Sequence, residues 1–430
     1  MIDLVVHGAR LGTGPLVDLH VDGGRFLAVV PSGGGPVEAR TVVEAAGSFV
    51  SAPYVEPHVH LDTTLTAGQP RWNASGTLEE GIACWSERKP LLTREDVLDR
   101  AEQVLRWYAA NGTLHVRSHV DVTDPALTAL DALLELRDRV RDVVGLQLVA
   151  FPQEGICSFP GGEGLLEEAA RRGVDVIGAI PHYEDTREDG VRSVEVAVDV
   201  AQRYGLRVDA HCDEIDDDQS RFVEVLATSA DRSGLRERVT ASHTTAMGGY
   251  NPAYSAKLRR IVARSGISLV SNPLVNLHLQ GRFDGYPKRR GLTQVKEMLA
   301  AGVNVAFGHD DILDPWYPLG TANPVQVAFV GAHATQLTSR DEVAECFRMV
   351  TERAATVLGL DDAYGIAAGR PASFLVHPAT DPFDVVRRQV RPSHVFSHGR
   401  LLAATPPPVT TLDWPGRPAE TVDFTQPGTP

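Results

Sequence analysis

Two histidines stand at positions i and i+2 in Glu56-Pro57-His58-Val59-His60-Leu61-Asp62. They close an apolar run that passes through Tyr54-Val55. Alternate side chains of an extended strand share one face, so both imidazoles can reach a single metal ion. Later apolar runs also end in groups that bind metals or move protons. One ends in Phe151-Pro152-Gln153-Glu154-Gly155 and another in Asp209-Ala210-His211-Cys212-Asp213-Glu214. Two more end in Ala241-Ser242-His243-Thr244 and Gly308-His309-Asp310-Asp311. Three imidazoles and one carboxylate from such a set would bind a divalent ion through borderline-soft N and O donors. An ion held that way keeps an open position and generates a nucleophile from water near neutral pH.

Something must bring these run ends together. Strand-like runs fall at residues 55–60, 114–120, 146–151, 174–180, 206–211, 239–243, 267–271 and 303–308. Amphipathic helical stretches separate most of them, at 94–109, 127–143, 164–172, 194–204 and 219–230. Eight strands with intervening helices predict an α/β fold of the (β/α)8 TIM-barrel type, which collects catalytic groups at the C-terminal ends of its strands. An open doubly wound sheet is the rival, but no G-x-G-x-x-G follows the first strand. The first fifty residues read as short strands with Gly-rich turns, such as Gly23-Gly24 and Ser32-Gly33-Gly34-Gly35. Residues 372–376 and 394–397 look similar, with a turn at His398-Gly399-Arg400. Both ends are therefore expected to build one small β-sandwich domain, from residues 1–52 and 366–430, around a barrel at 53–365. The Pro- and Thr-rich tail after Thr405 is expected to be an extended or partly disordered arm.

Bulk properties narrow the field. The 430 residues suffice for a large barrel with a core of its own. A net charge of −15 argues against nucleic acid as a partner. No apolar run approaches the length of a membrane helix, and the first eight residues lack a signal-peptide pattern. Cys84, Cys157, Cys212 and Cys346 have no paired spacing, which suits reduced thiols in a cytoplasm. Several polar residues have plainer readings. His115 and His333 suit hydrogen-bonded core positions, and Asp216-Asp217-Asp218 suits a helix start or a solvated face.

Long segments carry a resemblance. They are Glu56-Pro57-His58-Val59-His60-Leu61-Asp62-Thr63-Thr64, Phe151-Pro152-Gln153-Glu154-Gly155-Ile156, His211-Cys212-Asp213-Glu214-Ile215-Asp216-Asp217 and Ser242-His243-Thr244-Thr245-Ala246-Met247. To these are added the segment from Asn272-Pro273-Leu274 to Arg282-Phe283-Asp284 and the segment from Gly308-His309-Asp310-Asp311 to Thr321-Ala322-Asn323. In these the chain closely resembles the bacterial cytosine deaminases of the amidohydrolase superfamily. The resemblance runs from the N-terminal strands to about Gly365. It implies that His58, His60, His211 and Asp310 ligate one divalent ion, iron or zinc. It implies that Glu214 shuttles protons, that His243 orients or polarises the attacking water and that Asp310 assists. It also implies that Gln153 reads the pyrimidine edge, that Leu78 offers backbone contacts, and that Asp311 and Trp316 shape the pocket. Dinuclear members of the superfamily place a carboxylated Lys on the fourth strand, and residues 174–182 hold no Lys, so one metal is expected. The implied activity is hydrolysis of cytosine to uracil and ammonia, by a homo-oligomer such as a hexamer. Gly248-Gly249 depart from the family pattern, as does the longer tail.

Other readings keep the metal and change the reaction. A related aminated heterocycle, such as isoguanine or creatinine, is one alternative. A ring-opening amidohydrolase is a second, disfavoured by the missing Lys and by Glu214. A metal-free scaffolding relative would lack the ligands this chain retains. His182-Tyr183-Glu184 has the His-x-Glu spacing of the small zinc deaminases, but no Pro-Cys-x-x-Cys accompanies it.

Overall fold

The computed structural model describes residues 1–12, 14–35 and 37–425. The chain opens with β1 (Ile2–Arg10), β2 (Leu16–Asp22), β3 (Arg25–Pro31), β4 (Ala39–Glu44) and β5 (Phe49–Ser51). The next eight strands are β6 (Tyr54–Val59), β7 (Thr113–Asp121), β8 (Gly145–Phe151), β9 (Val176–Ala179), β10 (Arg207–Cys212), β11 (Val239–His243), β12 (Ser268–Ser271) and β13 (Val305–Phe307). They pair in chain order and in parallel. The ring closes between its first and last strands. Val59 bridges Asp310, Asp310 N–H donates to His58 O at 2.8 Å and His60 N–H donates to Asp310 O at 3.1 Å. This is an eight-stranded parallel barrel, and its closure lies at the histidine pair.

The eight predicted runs fall on β6 to β13. Their ends shift by up to two residues, most at β9 and β13. The strands of the ring are covered on both faces, so they read as continuous apolar runs rather than alternating ones. Helices α1 (Leu78–Arg88), α2 (Arg94–Ala110), α3 (Thr128–Val140), α4 (Gly162–Arg172), α5 (Arg187–Tyr204), α6 (Phe222–Ser233) and α7 (Pro252–Ser265) surround the ring. They continue as α8 (Pro273–Leu279), α9 (Val295–Ala300), α10 (Pro324–Thr335), α11 (Arg340–Met349) and α12 (Glu352–Leu358). Local chemistry starts several of them: Thr77, Thr93 and Thr186 accept an N–H two or three residues into the first turn, and Ser339 with Glu342 forms a capping box. No helix among the described residues is long and apolar enough to cross a membrane.

The chain ends share a second sheet. Strands β14 (Phe374–His377), β15 (His394–Ser397) and β16 (Arg400–Ala404), with helix α13 (Pro382–Arg388), bring the C-terminal part back onto β5. The order is β16-β15-β14-β5-β1-β2-β3, and the sheet branches where β4 pairs with β1. Leu4, Leu19, Phe26, Phe374 and Phe396 belong to its own core, with the Phe374 and Phe396 rings stacked at 4.5 Å. In the tail, β17 (Thr411–Leu412) pairs with β18 (Glu420–Thr421), and Arg387 donates to Phe424 O at 2.6 Å. The last part of the expected arm, residues 426–430, lies outside the described residues. One sequence reading is corrected: His333 is an exposed residue of α10 whose Nδ1 lies 2.8 Å from Phe329 O, not a core group. It lies on a helix rather than on the strand that its apolar neighbours suggest. His115 sits half-buried on β7, edge-on to Tyr364.

Candidate metal centre and active site

The C-terminal ends of β6, β10, β11 and β13 bring His58, His60, His211, His243 and Asp310 together. His58 Nε2 lies 3.2 Å from Asp310 Oδ1, and His60 Nε2 lies 3.5 Å from the same oxygen. His60 Nε2 and His211 Nε2 are 3.2 Å apart. One donor atom each from His58, His211, His243 and Asp310 falls within a 4.8 Å span. All are buried.

Hydrogen bonding assigns the His58 tautomer. Ser242 Oγ donates to Asp209 Oδ1 at 2.7 Å, so it must accept from His58 Nδ1, 3.0 Å away. The Nε2 of His58 then carries a lone pair and faces a carboxylate oxygen. Two acceptors at 3.2 Å repel unless a cation lies between them. His58 Nε2, His211 Nδ1 and Asp310 Oδ2 are buried with no hydrogen-bond partner. Burial holds His58 and His211 well below the ordinary imidazole pKa and takes His60 down to about 3. These rings are therefore neutral donors at neutral pH. Burial pushes Asp310 well above the usual carboxylate range, against the pull of His243, and a bound cation would reverse that. The donor set fits a metal ion.

Supporting groups surround the cluster. Asp209, behind Ser242, also accepts Arg117 Nη1 at 2.8 Å. Arg117 is held in turn by Gln147 Oε1 and Val357 O. His119 lies against His58 with ring centroids 4.0 Å apart, and neither of its nitrogens has a partner. Glu56 accepts the N–H groups of His58 and His309, each at 3.0 Å, and the Tyr108 hydroxyl at 3.1 Å. It thereby staples β6 to the chain after β13. Burial raises Glu56 to about 8 despite those donors. Gly308 makes the approach possible, since a Cβ there would meet Asn272 Oδ1 at 2.5 Å.

Above the cluster, Glu214 Oε1 lies 3.1 Å from His243 Nδ1, and Asp310 Oδ2 lies 3.7 Å from the same nitrogen. Burial alone would lower the His243 pKa, but Glu214 and Asp310 together raise it. Asn276 Nδ2 approaches the ring at 3.0 Å and Asn272 Nδ2 at 3.4 Å. Both His243 (φ +71°) and Asp310 (φ +72°) adopt the left-handed backbone region. Such strain in non-Gly residues clusters at functional sites.

A cleft opens over these groups. His60, His211, Glu214, His243 and Asp310 line one part of it. Leu78, Gln153, Asp311 and Trp316 line the rest with Ile180 and Leu279, and His58 lies beneath. The residues assigned to the site in the sequence thus line this cleft or, for His58, lie beneath it. Burial, with Asp310 and Asp314 nearby, raises the Asp311 pKa well above the usual range. A larger open groove lies beside the end sheet near Arg25, Arg40 and Arg400, remote from every strand-end group.

Sequence reasoning missed Glu56, Arg117, His119 and Asp209 as parts of the site. The last three carried a signal. Arg117 and His119 alternate on β7, and Asp209 and His211 alternate on β10, so each pair faces one way.

A parallel barrel with a buried His/Asp donor cluster at its strand ends defines a barrel hydrolase of the metal-binding kind. Comparison with known proteins agrees: residues 41–403 match the amidohydrolase family, and the chain belongs to that family. A 5-methylcytosine deaminase from Klebsiella pneumoniae, solved with 5-fluorocytosine, is similar at 46% identity and TM-score 0.93, covering 96% of this chain and 100% of that one. An N-isopropylammelide isopropylaminohydrolase from Burkholderia multivorans is similar at 27% identity and TM-score 0.81, covering 94% and 99%. A pterin deaminase from Rhizobium rhizogenes is 28% identical over 400 residues, or 92% of this chain and 90% of its own.

Proposed function

We propose that the chain is a metal-dependent deaminase that hydrolyses cytosine to uracil and ammonia. One observation carries the reading: Glu214, His243 and Asp310 converge on one cleft, with Gln153 also in its wall. In this reading His58, His60, His211 and Asp310 hold one divalent ion, iron or zinc, since these N and O donors suit both. When bound, the ion supplies Lewis acidity that makes a nucleophile from water near neutral pH. The chain's own residues do the rest. Glu214 delivers a proton to the ring nitrogen beside the amine-bearing carbon, which makes that carbon electrophilic. Asp310 and His243 accept and steer the proton of the attacking water. A C–O bond forms and the C–N bond breaks; of the two protons of the attacking water, one replaces the proton Glu214 gave to the ring nitrogen and the other completes the amine, which leaves as ammonia. Gln153 offers both a donor and an acceptor, matching ring O2 and N1–H together. Leu78 adds a backbone contact, and Asp311 and Trp316 bound the ring.

A second reading moves a substituent and keeps the chemistry. The relative at 46% identity is a 5-methylcytosine deaminase, so 5-substituted cytosine belongs in the test. Ammonia release should be measured from cytosine, 5-methylcytosine, isoguanine, creatinine and cytidine with metal-replete protein. Turnover of a free aminopyrimidine, with cytidine far slower, is the expected result. Turnover of isoguanine or creatinine alone would replace the substrate. Comparable rates on cytosine and cytidine would overturn the Gln153 pose, because a ribose on N1 removes the donor that Gln153 reads.

The same reading makes the protein a cytoplasmic homo-oligomer, a hexamer as the resemblance implies. Four unpaired cysteines support a reducing compartment, and exposed Trp72, Phe283 and Tyr286 offer apolar surface for assembly. Light scattering tests the assembly.

A further inference from the structure

Glu184 stands outside the chemistry described so far. It follows β9 on a short 3-10 turn (Pro181–Tyr183) and is 8% exposed. Its carboxylate turns away from the metal cluster towards the loop after β8. There it accepts three consecutive backbone N–H groups. Oε1 takes Ile156 N–H at 2.6 Å and Cys157 N–H at 3.2 Å. Oε2 takes Cys157 N–H at 3.1 Å and Ser158 N–H at 2.8 Å. The contact is returned, because Asp185 N–H donates to Ser158 Oγ at 2.8 Å. Gly155 fits the same arrangement. It sits at φ +91°, and a Cβ there would meet Glu184 Oε2 at 2.7 Å. Only glycine allows both that backbone and that approach.

The loop so held carries Gln153. Its other anchor is Phe151, whose ring stacks on His211 at 4.0 Å. Glu154 is drawn outward, since Ser86 Oγ donates to it at 3.1 Å and Lys89 also pairs with it. The Gln153 side chain has no hydrogen-bonding partner in the protein among the described residues, so its aim depends on the backbone that carries it. Only two to four residues lie between Gln153 and the three tethered N–H groups.

We propose that Glu184 is a positioning residue for substrate recognition: its carboxylate clamps the amides of residues 156–158 and thereby aims Gln153 at the ring. This rests on the deaminase reading, in which Gln153 reads the ring edge. Glu184 touches neither substrate nor metal ligand in this scheme. Its removal should therefore cost recognition and spare the metal. A misplacement of about 1 Å in a positioning group can cost about 10²-fold.

The test is a double-mutant cycle on the metal-replete protein, with exchange of the 156–158 amides measured alongside. Glu184→Ala should keep its metal content, lose about 10²-fold in kcat/KM on the preferred ring, and exchange those amides faster. Glu184→Gln is the milder partner, because its amide keeps one acceptor and sets N–H against N–H at the other end. It should fall between wild type and Glu184→Ala. In a Gln153→Ala background, Glu184→Ala should cost no more than about twofold, because both changes remove one function. Independent, multiplying losses would overturn the proposal, and so would unchanged amide exchange. If the wild type turned over no aminated ring, the deaminase reading would fall, while the exchange measurement would still decide whether Glu184 clamps the loop.

Discussion

Ser242 decides which nitrogen of His58 is free. Its hydroxyl is committed to Asp209, so it accepts from Nδ1 and leaves Nε2 bare towards Asp310. Outer groups that orient a ligand typically contribute 10–100-fold to metal affinity. Ser242→Ala should therefore weaken metal binding by about that factor while leaving the fold intact, as read by chelator competition. Unchanged affinity would mean that the His58 ring is set by packing against His119 instead. Glu214→Gln makes the complementary case. It keeps the shape and removes the titratable proton. Metal should stay bound while turnover falls about 10²-fold or more, the scale of a general acid–base group. Loss of metal in that variant would make Glu214 a ligand and undo its assigned role.

Helix α1 walls the cleft at the scale of an element. Thr77 caps it, and Leu78 is its first residue. Gly81, one turn in, lies against Trp316, where a Cβ would come within 2.4 Å of the indole. The indole is buried, and the backbone that carries it is pinned. Asp314 accepts the N–H groups of Trp316 and Tyr317, each at 3.0 Å, and the Thr63 hydroxyl holds Asp314 at 2.9 Å. Helix propensity alone would make Gly81→Ala stabilising by about 1 kcal/mol. Overpacking costs about 1–3 kcal/mol and should win. The melting temperature should fall rather than rise, with a drop in kcat/KM as Trp316 is pushed towards the ring. A rise in melting temperature would mean that α1 slides freely over this wall.

The barrel and the end sheet meet at His377 of β14. Its ring stacks on Phe49 of β5 at 5.4 Å and meets Tyr54 of β6 and Phe347 of α11 edge-on at 5.8 and 5.9 Å. Ser51 Oγ donates to Ala52 O, so it accepts from His377 Nε2 at 2.9 Å, and Nδ1 has no partner. Burial lowers the His377 pKa to about 3. The unfolded chain takes up this proton below about 6.5, while the folded chain does so only near 3. The unfolded state thus binds more protons across that window, and this group's contribution to stability is lost as pH falls. His377→Gln removes the titration and keeps a donor for Ser51. Relative to wild type, its stability should improve by about 1.4 kcal/mol per pH unit below 6.5. Denaturant unfolding at several pH values measures this, and a pH-independent difference would refute it.

What the sequence by itself determined were the features that depend on near neighbours. His58 and His60 share a face because strand side chains alternate, and the ends of parallel barrel strands gather on one rim. So the strand-end groups His58, His60, Gln153, His211, Glu214, His243, Asp310 and Asp311 could be assigned to one rim before any contact was known, whereas Leu78 and Trp316 were placed there only by the family resemblance. Helices α2 to α6 were legible for the same reason, through local periodicity. Helix α10 was not. Its run Pro324-Val325-Gln326-Val327-Ala328-Phe329-Val330 has strand-like composition, and packing on the barrel, with Gly331 against Phe307, overrides it. Strand β4 was also missed, since it is mostly exposed and forms only because β1 offers it an edge. Tertiary structure alone joined Glu56 to His309, Asp209 to Ser242 and Arg117, and Glu184 to residues 156–158. Buried polar groups must find partners, and those partners are tens to hundreds of residues apart in the chain, so only the closed barrel decides which ones meet.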